Sequence, residues 1–178
     1  NLGLLPGAGG TQRLPRIVGA HKALIMMTSG EHVPANQCLE MGLVDELANE
    51  GDLKKDATNF ANKIVSEGRP LVKVRDAEDK IASDKGNEEL FSEFRKSIAR
   101  KTRGFLAPEY NIQCVEAAVN LPFEEGLKVE QDLFMKLMTG SQSAAQRYIF
   151  FAERQVTKIP DIEKETPLKE ISSVGVIG

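Results

Sequence analysis

The chain has 178 residues, with 23 basic side chains against 26 acidic ones and a net charge of −3, a length for one domain, or one and the beginning of another. A pI near 5.6 excludes a nucleic-acid binder built on bulk positive charge, because phosphate backbones are held by concentrated Lys and Arg. The two cysteines, Cys38 and Cys114, lie too far apart to read as a metal motif or a disulfide framework, and no apolar run approaches the ~20 residues that cross a bilayer.

Leu2 to Leu5 is a short apolar run that reads as a buried strand, broken by Pro6 to Gly10. From Thr11 onward, Leu14, Ile17 and Val18 recur at helical spacing, and Gly19 ends that helix. "HKALIMMT" (21–28) is a second short helix closed by Ser29-Gly30. Pro34 to Met41 is a third, opening on proline and stopping at Gly42. "GLVDEL" then reads as a short strand or an extended exit. From Asp52 to Val65, Leu53, Ala57, Phe60, Ala61 and Ile64 form one apolar stripe of an amphipathic helix. "SEGRPLVKVRDAEDK" breaks the periodicity and reads as a surface connection.

From Asn87 the character changes to helical segments punctuated by Gly and Pro: Glu88–Thr102, Pro108–Asn120, Pro122–Met138 and Ser141–Val156. Leu90, Phe91, Phe94 and Ile98, then Ala145, Ile149, Ala152 and Val156, give the apolar spacing of a helical bundle or linker. Residues 157–170 are charged, carry two prolines and show no period, the composition of an interdomain linker. They lead into "ISSVGVIG", a β-branched run ending where a G-x-G-x-x-G dinucleotide fingerprint would place its first glycine. With no initiator methionine, no charged n-region and a motif broken off at Gly178, the chain looks cut at both ends, so neither terminus is read for targeting.

Gly7-Ala8-Gly9-Gly10 is the stretch best suited to chemistry. Glycine lets backbone amides approach a ligand, and a helix opening directly after it favours an anion or a developing negative charge. No Lys-Ser/Thr follows, so it is not a P-loop, and on pattern alone a tight turn and a ligand loop both stay open. His21, at a helix start, and His32, in a turn, read as surface or capping residues. The pairs Asp45-Glu46, Glu88-Glu89 and Glu124-Glu125 are sequence neighbours and do not converge on one reacting atom. The basic cluster from Arg95 to Arg103 reads as a solvated helix face. The residues alone supply no acid/base pair.

"LGLLPGAGGTQRLPRIVG", followed by "MMTSGEHVPANQCLEMGLVDEL", resembles the crotonase (enoyl-CoA hydratase/isomerase) superfamily. "FRKSIARKTRGFLAPEYNIQCVEAA" and "LFMKLMTGSQSAAQRYIFFAERQVTK" are similar to the linker of multifunctional β-oxidation enzymes, in which a hydratase/isomerase half is fused to an NAD-dependent 3-hydroxyacyl-CoA dehydrogenase. "SSVGVIG" resembles the first strand of that dehydrogenase.

The resemblance implies an α/β, helix-rich chain: the C-terminal part of a crotonase (ββα-spiral) fold, a helical linker and the first strand of a Rossmann domain. The implied divisions are 1–84, the C-terminal part of the crotonase-like domain; 85–156, helices completing and linking it; 157–170, a linker; and 171–178, the truncated start of the dehydrogenase. The implied function is hydration of 2-enoyl-CoA, with 3-enoyl-CoA isomerisation at the same site, then oxidation of 3-hydroxyacyl-CoA by NAD. A monofunctional hydratase/isomerase and a non-catalytic scaffold are the alternatives.

The two family glutamates are absent, the second falling just before Asn1, so the isolated chain is expected neither to hydrate enoyl-CoA nor to bind NAD. By the same resemblance the Gly7 amide supports catalysis by facing the catalytic water or the reacting carbons. Leu4, Leu5, Pro6, Gly7, Ala8, Gly9 and Gly10 line the acyl pocket. Phe150 and Arg154, with Lys158 one turn on, hold the adenine and phosphates of CoA, and Gly178 is the first glycine of the NAD site. The implied partners are an acyl-CoA substrate and an oligomeric or thiolase assembly, with no metal, nucleic acid or membrane span. The implied compartment is a bacterial cytoplasm, with peroxisome or mitochondrion as the eukaryotic counterparts.

Overall fold

The computed structural model describes residues 2–156, 158–163, 165–167 and 169–177. Eight α-helices follow in order among them: α1 (Gly10–Val18), α2 (Ala20–Ser29), α3 (Ala35–Met41), α4 (Leu53–Ser66), α5 (Glu88–Ile98), α6 (Ala107–Asn120), α7 (Phe123–Met138) and α8 (Ser141–Val156). Short 3₁₀ turns lie at Val74–Asp76 and Ala82–Asp84. Glycine and proline set most of these limits. Gly19 alone separates α1 from α2: its amide closes α1 on the Pro15 carbonyl at 2.9 Å and its carbonyl opens α2 by accepting from Ala23 at 3.1 Å. Asn87 caps α5 by accepting from the Leu90 amide at 3.1 Å, as N-cap asparagines do.

α6 is the central helix, packed against α1, α2, α5 and α7. One apolar cluster joins Leu24 of α2, Phe91 and Phe94 of α5, Ile81, and Ile112, Val115 and Val119 of α6. Full burial of a side chain of this size stabilises the fold by roughly 1.5–3 kcal/mol. A second cluster brings Leu5 onto Cys114 of α6 and Leu133 and Leu137 of α7, with Leu4 and Phe134 packed beside it. That cluster seats the glycine turn on α7.

Arg95 fastens α5 to α6. Its guanidinium donates to Glu109 at 2.9 Å and to Glu116 at 2.8 and 2.9 Å. Burial pushes the Glu109 carboxyl up, but hydrogen bonds from Arg95 and Gln113 outweigh it and hold it below its ordinary range. The basic cluster therefore begins with a residue committed to an internal tie.

The structure differs from the sequence expectations at several points. No strand forms among the described residues. A strand is defined by a ladder partner, and Leu2–Leu5 has none among them. Leu2 is exposed, Gly3 has φ 66°, and Leu5 buries itself on helices. Residues 42–47 are a turn and an extended exit, and 171–177 have no regular structure, with Val174, Val176 and Ile177 exposed. α5 stops at Ile98, where the Lys101 and Thr102 amides both turn back onto its carbonyl. The α4 stripe buries no residue; its Leu53, Ala57 and Phe60 face Leu43, Val44 and Leu47 across a shallow groove. The α8 stripe faces outward, with Ile149 and Val156 exposed and Ser143 the buried residue. The connection over 66–80 does lie at the surface, with no buried residue; Arg75, itself exposed, reaches 5.2 Å from the Phe123 ring centre and pairs with Glu124 at 2.6 Å.

Candidate functional site

The glycine turn runs from the end of the Leu2–Leu5 segment into α1, and each glycine answers a steric demand. Gly9 has φ 81°, a left-handed conformation that L side chains rarely adopt, and a Cβ there would enter the Arg13 guanidinium. At Gly7 a Cβ would enter the Phe134 ring, 2.6 Å from its Cγ, and at Gly10 it would come within 2.8 Å of the Pro6 Cβ.

α1 has no side-chain cap of its own. The acceptor comes from α7. Glu130 Oε1 accepts from the Gly9 amide at 2.6 Å, and Oε2 accepts from the Thr11 amide at 3.0 Å and from the Thr11 hydroxyl. These charge-assisted bonds lie at the positive end of the helix dipole. The network continues inward. Gln12 Nε2 donates to Thr11 Oγ1 at 3.0 Å and to the Cys114 carbonyl at 2.9 Å. Thr11, Gln12 and Glu130 are all at most 2% exposed. Gln12 Oε1 has no hydrogen-bond partner among the described residues and lies against Gly126 of α7. Burial pushes the Cys114 thiol up to about 12, the Glu130 charge adding and a Thr11 hydrogen bond opposing. A buried thiol held protonated in this way is a packing residue and not a nucleophile.

The sequence expectation of an anion site at this helix start changes accordingly, because the Glu130 carboxylate already occupies it. Among the described residues no acceptor meets the Gly7 and Ala8 amides, and both residues are exposed. Of the expected acyl-pocket residues, Pro6, Gly7 and Ala8 are exposed and Leu4 and Gly10 half-buried, while Leu5 and Gly9 are turned into the core.

The second expected site lies on α8. Arg154 Cζ sits 3.3 Å from the centre of the Phe150 ring, and its guanidinium donates to the Phe150 carbonyl at 2.9 Å. The i, i+4 pair shares one helix face, and the guanidinium covers one face of the ring. Phe151 meets Phe150 edge-on at 5.4 Å. Lys158 lies beyond the last residue of α8, exposed, its amide bonded to the Gln155 carbonyl at 2.9 Å. It is therefore off the helix face expected for it. Gly178 lies outside the described residues. His21 is exposed and meets Phe94 edge-on.

Sequence reading missed Thr11, Gln12, Gly126, Glu130 and Phe134. One signal pointed to Glu130. It stands in phase with Phe123, Gly126, Leu133 and Leu137, the other buried positions of α7, and a carboxylate on an apolar stripe is rarely left without a partner. Among the described residues no helix is long and apolar enough to cross a membrane.

The chain belongs to the enoyl-CoA hydratase/isomerase family, whose profile matches residues 1–103. It is 37% identical over 181 aligned positions to the peroxisomal bifunctional enzyme of Cavia porcellus and 38% identical over 181 to that of Homo sapiens. It is 36% identical over 178 positions to the fatty acid oxidation complex subunit alpha of Shewanella frigidimarina. Each comparison covers 99% of this chain but only 24–25% of the relative, so the chain spans about a quarter of the length of these curated relatives.

Proposed function

We propose that the chain is the C-terminal part of an enoyl-CoA hydratase unit, with its helical connection to a 3-hydroxyacyl-CoA dehydrogenase, in a bifunctional fatty-acid β-oxidation enzyme. The observation that carries this reading is similarity along 99% of the chain to relatives named for a bifunctional enzyme and for fatty acid oxidation. Residues 1–84 and 85–156 would belong to the hydratase unit, 157–170 to the linker and 171–178 to the first strand of the NAD-binding domain. Gly178 would open the NAD fingerprint, and NAD would accept the hydride in the second step.

Within the hydratase unit the family glutamates, outside these residues, would move the proton and the water. This chain's contribution is the turn. The Gly7 and Ala8 amides, which meet no acceptor among the described residues, face the acyl group or the attacking water, and Pro6 and Leu4 supply apolar lining. Isomerisation of 3-enoyl-CoA needs the same proton transfers and belongs to the same site. Phe150 and Arg154 would hold the nucleotide end of CoA. With Arg154 stacked on the ring, an adenine would lie over the guanidinium or the opposite ring face, and the guanidinium charge would attract phosphate. Lys158 adds positive charge nearby in sequence. The expected compartment is reducing: cytoplasm in a bacterium, peroxisome or mitochondrion in a eukaryote. An oligomer or a thiolase partner belongs to the same reading.

The test is turnover by the full-length protein. Purified enzyme should hydrate a 2-enoyl-CoA and reduce NAD with a 3-hydroxyacyl-CoA, and Arg154→Ala should raise KM for both CoA thioesters or for the hydration step alone. Failure to turn over either thioester refutes the reading.

A further inference from the structure

We propose that Glu130 is a positioning residue for the hydration reaction: delivered by α7, its carboxylate fixes the Gly7–Gly10 turn so that the Gly7 and Ala8 amides stay in one place beside the reacting acyl group. The inference rests on the hydratase reading above.

Three observations carry it. First, Glu130 is 2% exposed and makes no ion pair among the described residues; its partners are the Gly9 amide and the Thr11 amide and hydroxyl. Burying a carboxylate without a cation is costly, and a Ser or Asp beside the helix start would cap α1 locally. Drawing the cap from 121 positions away instead makes the turn depend on where α7 sits. Second, the same face of α7 carries Phe134, one helical turn on from Glu130, and Phe134 lies directly beneath Gly7. The turn is thus held at both ends by one rigid helix, at Gly7 by packing and at Gly9–Thr11 by charge. Third, the carboxylate's hydrogen bonds all run to the turn and the α1 start. It acts on the turn and is not itself an acid or base for substrate. The amides left over, at Gly7 and Ala8, are the exposed ones. Pre-organised donors gain their catalytic value from not having to move, and a displacement of about 1 Å can cost on the order of 100-fold in rate.

The test uses the full-length enzyme and compares Glu130→Gln, Thr11→Val and Thr11→Ser, with dehydrogenation by the same chain as internal standard. Glu130→Gln keeps the shape but puts an NH₂ where the Gly9 or the Thr11 amide, each a donor only, needs an acceptor. Its kcat for enoyl-CoA hydration should fall roughly 10- to 100-fold, with KM within about twofold and dehydrogenation unchanged. Thr11→Val, the milder lesion, should lower the same kcat about 3- to 10-fold, and Thr11→Ser, which keeps the hydroxyl, should restore it. Wild-type kcat in Glu130→Gln, or equal losses of both activities as expected of a general folding role, overturns the proposal. So does a Thr11→Val enzyme indistinguishable from wild type. Amide exchange separates this idea from the hydratase reading. A wild-type enzyme that hydrates nothing refutes that reading and the catalytic role together, whereas Gly9 and Thr11 amides that exchange faster in Glu130→Gln still establish the clamp. Unchanged exchange removes the clamp whatever the enzyme's activity.

Discussion

Gly126→Ala sets two effects of opposite sign against each other. Gly126 is interior to α7, where exchange of glycine for alanine should stabilise a helix by about 1 kcal/mol. The structure predicts the reverse. A Cβ at 126 would overlap the Gln12 carboxamide, 2.9 Å from its Cδ, with the Ala117 carbonyl 3.7 Å away on the other side. Gln12 is fully buried and cannot swing aside without breaking its bonds to the Cys114 carbonyl and the Thr11 hydroxyl. Two such bonds are worth ~1–3 kcal/mol together, and overpacking a filled interior costs ~1–3 kcal/mol more. Subtracting the helix gain leaves a loss of ~1–5 kcal/mol, centred near 3, with α1 and α7 forced apart. At 1.4 kcal/mol per tenfold, native-state exchange of the α1 and α7 amides should quicken roughly 100-fold. Combining Gly126→Ala with Gln12→Ala should cost less than the sum of the single changes, because the clash is then gone. Slower or unchanged exchange in Gly126→Ala would refute the packing argument and leave helix propensity as the deciding effect.

Gly7→Ala should lower hydration while sparing dehydrogenation, because its methyl would collide with Phe134; adding Phe134→Ala should restore part of the rate in a coupled assay of both steps. In the folded protein a thiol reagent should modify half-buried Cys38 and leave buried Cys114 untouched, as mass mapping would show. The Cys114 thiol, raised from 9.0 to about 12, contributes stability that is complete below pH 9.0 and lost as pH rises toward 12; Cys114→Ala should flatten that part of the alkaline unfolding curve. Glu109, held below its ordinary value, contributes stability that is present above that value and lost as pH falls through the lower folded one. Arg95→Met should remove that acid dependence at a cost near ~1 kcal/mol, since the pair is a third exposed or more and water screens it.

The helices were legible because their limits are written locally. Gly19, Gly30, Gly42 and Pro122 stand where helices stop or start, and Leu90, Phe91, Phe94 and Ile98 mark the face of α5 that reaches the core. Periodicity says which face of a helix is apolar, and nothing about what covers it. The stripes of α4 and α8 satisfied the helical pattern as well as that of α5 did, yet α4 buries no residue and α8 turns Ile149 and Val156 to solvent. The Leu2–Leu5 and Ile171–Ile177 runs form no strand among the described residues for the related reason that a strand needs a neighbour no local pattern can supply.

The glycine turn was legible only in part, and the missing part is long-range. Its three glycines read equally well as a turn or as a ligand loop, since either needs backbone without Cβ atoms. Separating them requires knowing where the amides at the start of α1 find their acceptors, and a buried helix start must find some. Gly9 offers no side chain, so the acceptor had to come from elsewhere in the chain. The carboxylate lodged among Phe123, Leu133 and Leu137 on the buried face of α7 is a residue that itself needs donors. An uncapped helix start and a Glu on an apolar stripe are thus complementary deficits, and in this chain each is met by the other across 121 residues. That pairing makes Gly9 and Thr11 structural and leaves the exposed Gly7 and Ala8 amides without an acceptor among the described residues.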